Sequence, residues 1–571
     1  PEYSFRHALI RDVAYASLPK TRRARAHAQV AAWLEGLAGA RLEEFAELVA
    51  DHYASAAAGA DVDLAWPDPA EREEVRRRAF ESLVLAGAGA RRRFAVAKAL
   101  ELHEQALKLA RSDQERLRAL EESGDDHDSA FRGDSARAAY LEALAITRTQ
   151  PALNGDRARL CWKLASMLAE RPGAFARSPD PEPVDDLVSE GLAAAQDVSD
   201  RVNLLIASGE SARLWSGSEP FGQGSKPDPV SVEERIERVK QALAMAESNR
   251  LPREIRRANS ALGLLYGIAG QYEPQLKLIR RQLPSLEQLE SRLDQADGLR
   301  WLAVLSMRYE GRYEEGLDLA RRALALSRDS NPHQLMHATF PILEALYYMG
   351  RWDELQAVLA EHVHAFREDP AVECSFVRDG PAIGATVLAH RGSFADAREL
   401  AKMLPDPLQD IASASAWQAR LAVAMGDPVT ARKICDGKAL ERRTYGPQHA
   451  LAMLEALAAI TDLTALAECL GAARGQVDGN ALLGPWCDMA EGMVKLSGGD
   501  QGIARSHLEN AVAGFERLGV PFEAARARLR LAETMEPPAT RPALESARAT
   551  FIKLGAAPLA EETDKRLSVL H

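Results

Sequence analysis

The chain has 571 residues, with 46% hydrophobic, 27% charged and only 6% aromatic side chains, and a formal net charge of −12. That length exceeds what one compact core supports, while the negative balance and the lack of a long Lys/Arg tract exclude a phosphate-tracking surface. No secretory leader and no apolar run of membrane-spanning length occurs in the sequence.

In chain order, Phe5, Leu9, Val13 and Ala16 place an apolar stripe on a short helix that stops at Pro19. A second helix is predicted over 21–37 with Val30, Trp33, Leu34 and Leu37 inward, and a third over 42–58 with Phe45, Leu48, Val49 and Tyr53 inward. Together they predict a small helical bundle over 1–58. After Trp66-Pro67-Asp68-Pro69, helices over 71–86 and 95–110 form a first pair, and the next pair turns at Gly133-Asp134. Residues 171–184 and 216–232 are rich in Pro and Gly and read as long loops, a candidate contact edge for another domain.

From residue 257 onward a plan repeats: an apolar-faced helix, a glycine turn, and a second apolar-faced helix. The turns fall at Gly270, Gly311, Gly350, Gly392, Gly426 and Gly499, spaced 311−270 = 41, 350−311 = 39, 392−350 = 42 and 426−392 = 34; the last interval, 499−426 = 73, holds two units with a degenerate turn at Asp462-Leu463. Neither helix of such a pair can bury its stripe alone, so pairs stack into an α-solenoid. In the unit 257–283, Leu262-Gly263, Tyr266, Gly270 and Tyr272 follow the tetratricopeptide pattern, with Gly263 expected at a close helix crossing. Pro558–Leu570, with Glu561, Glu562, Asp564, Lys565 and Arg566 outward, is the expected polar cap.

The five cysteines, Cys161, Cys374, Cys435, Cys469 and Cys487, are scattered and never form C-x-x-C. They read as small buried residues of a reduced, cytoplasmic protein. Arg91-Arg92-Arg93 and the group Arg22, Arg23 and Arg25 read as solvated helix faces, as does Asp125-Asp126-His127-Asp128.

The string Phe5-Arg6-His7-Ala8-Leu9-Ile10-Arg11-Asp12-Val13-Ala14-Tyr15-Ala16-Ser17-Leu18, with Arg22-Arg23, Ala26-His27 and Val30-Ala31 before Trp33-Leu34-Glu35, resembles the segment that ends the ATPase module of large bacterial signalling ATPases. In those proteins a class III nucleotide cyclase or a LuxR-type regulator domain is joined to a P-loop ATPase and then to tetratricopeptide repeats. Residues 513–528 and 549–558 are similar to the terminal repeats of the same proteins. No G-x-x-x-x-G-K-[ST] occurs, so the family's phosphate cradle is absent from this sequence and its activity does not carry over. The sequence is expected to be the carboxyl part of a larger polypeptide.

The resemblance implies an all-α, right-handed tetratricopeptide-like superhelix over 71–571 whose first helices line a concave face, with inward residues about 10, 6, 3 and 2 positions before each turn glycine. Counting back from Gly311 gives Trp301, Leu305, Arg308 and Tyr309, and from Gly350 it gives Phe340, Glu344, Tyr347 and Tyr348, with His337 one turn earlier. Rings beside one Arg and one Glu suit a protein, peptide or small-effector groove, the alternative being that Tyr347 or Tyr348 and Trp301 pack against the adjacent repeat. His333 and His337 share a helix face, with His362 and His364 on the following helix, but lack the Glu of H-E-x-x-H and read as capping or groove-lining residues, so no metal site is assigned.

No catalytic residue, cofactor, nucleic acid or membrane partner is expected. The reading is a non-catalytic regulatory module that couples effector binding to the attached ATPase and output domains. A passive assembly scaffold and an enzyme with an unrecognised site are its alternatives.

Overall fold

Ala- and Leu-rich amphipathic stretches between glycine and proline breaks favour short helices that pack closely. The computed structural model describes residues 8–59, 61–175, 179–215, 228–286, 292–369, 374–409, 411, 414–438 and 446–570, and among them every regular element is an α-helix or a short 3-10 turn. The fold is all-α. Among the described residues, no helix is long and apolar enough to cross a membrane.

Two compact units divide the chain, one of residues 1–167 with 190–196 and the other of 168–189 with 197–571.

In the first unit the helices Lys20–Ala38, Leu42–Ala57 and Pro69–Arg92 pack in succession around Leu34, Val49, Tyr53 and Phe80. Pro69–Arg92, beyond the expected bundle of residues 1–58, packs directly on Leu42–Ala57. Val13 of the helix Ala8–Ser17 faces solvent, and that helix is tied back through Tyr15, whose hydroxyl lies 2.7 Å from His27 Nε2. Phe5 and the side chain of Leu9 lie outside the described residues.

The solvated-face expectation also fails on the helix Asp113–Ser129. Asp126 is fully buried, bonded by Arg91 Nη1 at 2.7 Å and by His103 Nδ1, while Asp125 accepts from Lys163 Nζ at 2.9 Å and from the Tyr140 hydroxyl. A buried carboxylate persists only with such partners. Arg92 and Arg93 pair with Glu43 and Glu47, so the basic triplet is spent on acidic neighbours.

In the second unit, the predicted hairpins are present. Inner helices Arg292–Glu310, Pro332–Tyr348, Ser375–His390, Ala416–Ala424, Gly446–Ile460, Leu483–Ser497 and Pro521–Ala532 each pack on the next inner helix. Outer helices Tyr313–Ser327, Trp352–Glu368, Phe394–Ala401, Pro428–Cys435, Leu463–Arg474, Gln501–Arg517 and Pro537–Leu554 alternate with them. The turn glycines take left-handed backbone, from φ 67° at Gly311 to 85° at Gly499, which glycine adopts without a Cβ clash. At the degenerate turn Thr461 adopts the same conformation, φ 58°, and Phe94, Phe131 and Arg250 do so in earlier hairpins.

Gly263 is not the close crossing. A Cβ there would sit 3.4 Å from Ile279 Cδ1, an ordinary contact, whereas one turn later at Gly267 it would meet Gln275 Nε2 at 2.7 Å. The predicted loop 171–184 contains a 3-10 turn at Pro172–Ala174, and a helix already begins at Glu182; residues 176–178 and 216–227 lie outside the described residues. Just beyond, Arg235 is fully buried and grips Asp228 through two bonds of 2.7 and 2.9 Å, with Nη1 donating to Ser211 Oγ at 2.6 Å.

The last helix, Ala557–Val569, exposes Glu561, Asp564 and Lys565 and buries Ala560 and Thr563. Besides capping Pro537–Leu554 it seats on the inner helix Ser375–His390.

Candidate functional site on the inner helices

The residues counted back from Gly311 and Gly350 lie on the inner helices Arg292–Glu310 and Pro332–Tyr348. Most of them are inside the protein. Phe340, Glu344, Tyr347, Tyr348, Leu305 and Arg308 are buried, while Trp301, Tyr309 and His337 are half-buried. Arg308 Nη2 donates to Glu344 Oε1 at 3.0 Å, and the Tyr309 hydroxyl donates to Gln275 Oε1 at 2.7 Å. Phe340 packs against Phe376 with ring centroids 4.9 Å apart, and Trp301 meets the same ring edge-on at 5.8 Å.

What covers the turns after these helices is the later part of the same unit. A Cβ on Gly350 would come within 2.8 Å of Pro521 Cγ and 2.7 Å of Leu554 Cδ2, one on Gly311 would clash with Leu518, and Pro558 lies over Gly392. Ala481 N donates to the carbonyl of Arg308 at 2.6 Å. Early hairpin turns are thus stacked beneath later ones.

At the centre lies a set of charges that the sequence reading did not select. Arg420 donates from Nε to Glu455 at 2.7 Å, from Nη2 to Glu523 at 3.0 Å and from Nη1 to the Tyr348 hydroxyl at 2.6 Å. Arg526 bonds the other oxygens of both carboxylates. The guanidinium of Arg420 lies 4.7 Å from the Trp417 ring centroid and that of Arg526 lies 4.9 Å from that of Trp486.

Burial opposes ionisation of Glu455, but Arg420 and Arg526 outweigh it and hold its carboxyl below the usual range. Burial dominates at Glu523 and, helped by the Glu455 charge, pushes its carboxyl up against the same two cations. Tyr347 and Tyr348 are raised by burial and stay neutral. Two guanidinium groups against two carboxyl groups make a buried clasp that ties the helices carrying them. The minus-six register could have found half of it: 426−6 = 420 is Arg420, and the left-handed Thr461 gives 461−6 = 455, Glu455.

A second cluster lies along the inner helices. His333 and His337 have ring centroids 4.5 Å apart, and Cys374, the residue before the helix Ser375–His390, places Sγ 3.0 Å from His337 Nε2. One donor atom from each of the three lies within 4.8 Å of the others, which makes this the group able to hold a metal ion among the described residues. The other two histidines go elsewhere: His362 is buried, with Nδ1 2.7 Å from Thr339 Oγ1 and Nε2 donating to Val377 O at 2.9 Å, and His364 is exposed beside Glu368. Sequence spacing gave no sign of Cys374, which is 37 residues from His337. All five cysteines are buried and unpaired with one another.

No protein-family profile matches the chain, and no curated protein does. Among solved structures, the chain is similar to one from the APC/C hetero-tetramer Cut9-Hcn1, at 13% identity and a TM-score of 0.36, covering 98% of each chain. It is also similar to yeast Tom70, at 13% identity and a TM-score of 0.31, covering 90% of this chain and 97% of that one.

Proposed function

We propose that this chain is a non-catalytic regulatory repeat module. It binds a protein, peptide or small effector and passes that event through its amino-terminal helices to an ATPase and an output domain, a cyclase or a transcriptional regulator, of a bacterial cytoplasmic signalling polypeptide. The observation that carries the reading is an apolar stripe left uncovered on the helix Lys20–Ala38. Val30, Trp33 and Leu37, expected to point inward, are 38%, 63% and 63% exposed, while Ala31, Leu34 and Ala38 of the same helix are buried. A helix apolar on two sides has a second surface to cover, and contiguous exposed rings and branched side chains are what a neighbouring domain covers. This stripe belongs to the segment that resembles the end of a signalling ATPase, so the ATPase module is its occupant in this reading.

The effector side of the proposal narrows to Trp301, Tyr309 and His337, the inward residues that solvent still reaches. An effector must favour one arrangement of the repeats over another, since equal affinity for both shifts nothing. The test is ATP hydrolysis by the polypeptide carrying this chain and its ATPase module, with and without Trp33→Glu and Leu37→Glu together. A changed basal rate in the folded double variant is expected; an unchanged rate rejects the relay.

The Arg420 clasp favours a second reading, a passive assembly scaffold, because stacked turns tied by buried ion pairs resist changes of curvature. A scaffold predicts that same unchanged rate, with assembly lost instead.

A further inference from the structure

We propose that His333, His337 and Cys374 form a site for a soft monovalent metal ion, Cu(I). This assignment is argued from donor geometry and not from the regulatory reading, with which it shares His337. It starts from placement: His333 and His337 are one turn apart on the inner helix Pro332–Tyr348, so both imidazoles leave the same face, and the next inner helix brings Cys374 to them. The donor set is two nitrogens and one sulfur, the combination that soft and borderline transition metals take and that Mg²⁺ or Ca²⁺ does not.

Burial supplies the rest. His333 and Cys374 are almost fully enclosed, and the site is walled by Phe376, whose ring lies 5.6 Å from that of His337. Neutral imidazole nitrogens and a thiolate sulfur are the forms that ligate, so on binding the Cys374 S–H bond breaks, sulfur bonds the metal, and one proton leaves to solvent for each ion bound.

Charge chooses the ion. Cu(I) with one thiolate and two neutral imidazoles is a centre of net charge zero. Zn²⁺ on the same ligands leaves one positive charge in a buried place already facing the guanidinium of Arg300, whose Cζ is 5.3 Å from the Phe376 ring centroid.

The experiment is an anaerobic titration of the whole chain with Cu(I) against bicinchoninate as competing chromophore, following the thiolate-to-metal ultraviolet band and proton release. It is run on the parent chain, Cys374→Ser, His337→Gln and, as a control thiol, Cys487→Ser, with helicity and melting temperature recorded for each. One ion and one proton per chain are expected. Cys374→Ser and His337→Gln should each lose about 10-fold or more in affinity, the floor set by what even outer-shell partners of a metal contribute, and Cys487→Ser should lose none. The proposal is overturned by a parent chain that does not compete with bicinchoninate, by undiminished binding in Cys374→Ser or His337→Gln, or by Zn²⁺ displacing Cu(I) at equal concentration.

Discussion

Arg420 and Glu523 are 103 residues apart in the chain and meet at 3.0 Å, both buried, so a contact between distant repeats is made by charges as well as by apolar side chains. Removing one member of such a set leaves the others desolvated and uncompensated. Arg420→Met should therefore destabilise the second unit by about 3–5 kcal/mol, read as a fall in the urea midpoint. Because Glu455 and Glu523 are left facing each other, Arg420→Met combined with Glu455→Gln should be less damaging than the sum of the two single changes. Strict additivity would show that Arg420 and Glu455 act separately.

Arg235 gives a more local case. Its guanidinium is fully buried and bidentate on Asp228, a geometry that an ammonium cannot reproduce. Arg235→Lys should retain the charge and still lower the melting temperature, and Arg235→Ala should cost about 3–5 kcal/mol. A lysine variant as stable as the parent would mean that the fork contributes nothing beyond its charge.

Glycine substitutions should split by what surrounds them. Gly471 is on the helix Leu463–Arg474 with open space where a Cβ would go, so Gly471→Ala should stabilise by about 1 kcal/mol through helix propensity. At Gly380 the same methyl would fall on the His362 ring, whose Nε2 bonds Val377 O, and Gly380→Ala should destabilise despite the same propensity gain. Gly87 repeats the arrangement in the first unit, with His103 bonded to Val84 O. Thermal melts of the three alanine variants check the signs.

His390 makes stability depend on pH. Burial between Trp352 and Phe522 pushes it from 6.5 down to about 3. The unfolded chain then binds the proton first as pH falls, so the native state loses stability below 6.5 and continues to lose it until about 3, at about 1.4 kcal/mol per pH unit at most. Between pH 6.5 and 5 this one group should cost about 2 kcal/mol. His390→Gln should flatten the slope over that interval, as read by denaturation at each pH; an unchanged slope would assign the acid sensitivity to other groups.

The hairpins were legible because their signal is local. Gly311, Gly350 and Gly392 mark turns that only a left-handed backbone closes, and the helices on either side repeat an apolar stripe. Where Phe131 or Thr461 takes that conformation instead, the sequence carries no such mark, and the turns were placed a residue or two late. Glu344, Tyr347 and Tyr348 of the inward register are buried. The sequence left groove lining and packing both open for the two tyrosines, because Trp417 and Arg420, which pack on Tyr347 and Tyr348, come from a later repeat. The exposure of Trp33 was missed for a related reason. A helix with apolar residues on both sides does not say which side the chain itself covers.

The seating of Leu518, Pro521 and Pro558 over Gly311, Gly350 and Gly392 also bears on how such an array can evolve. Open arrays gain and lose units freely, because each unit meets only its immediate neighbours. Here a duplicated or deleted hairpin anywhere between residues 350 and 521 would move every later turn off its glycine seat and part Arg420 from Glu523. Contacts between units that are not consecutive oppose a change in copy number, so loop length and surface side chains are where change costs this region least.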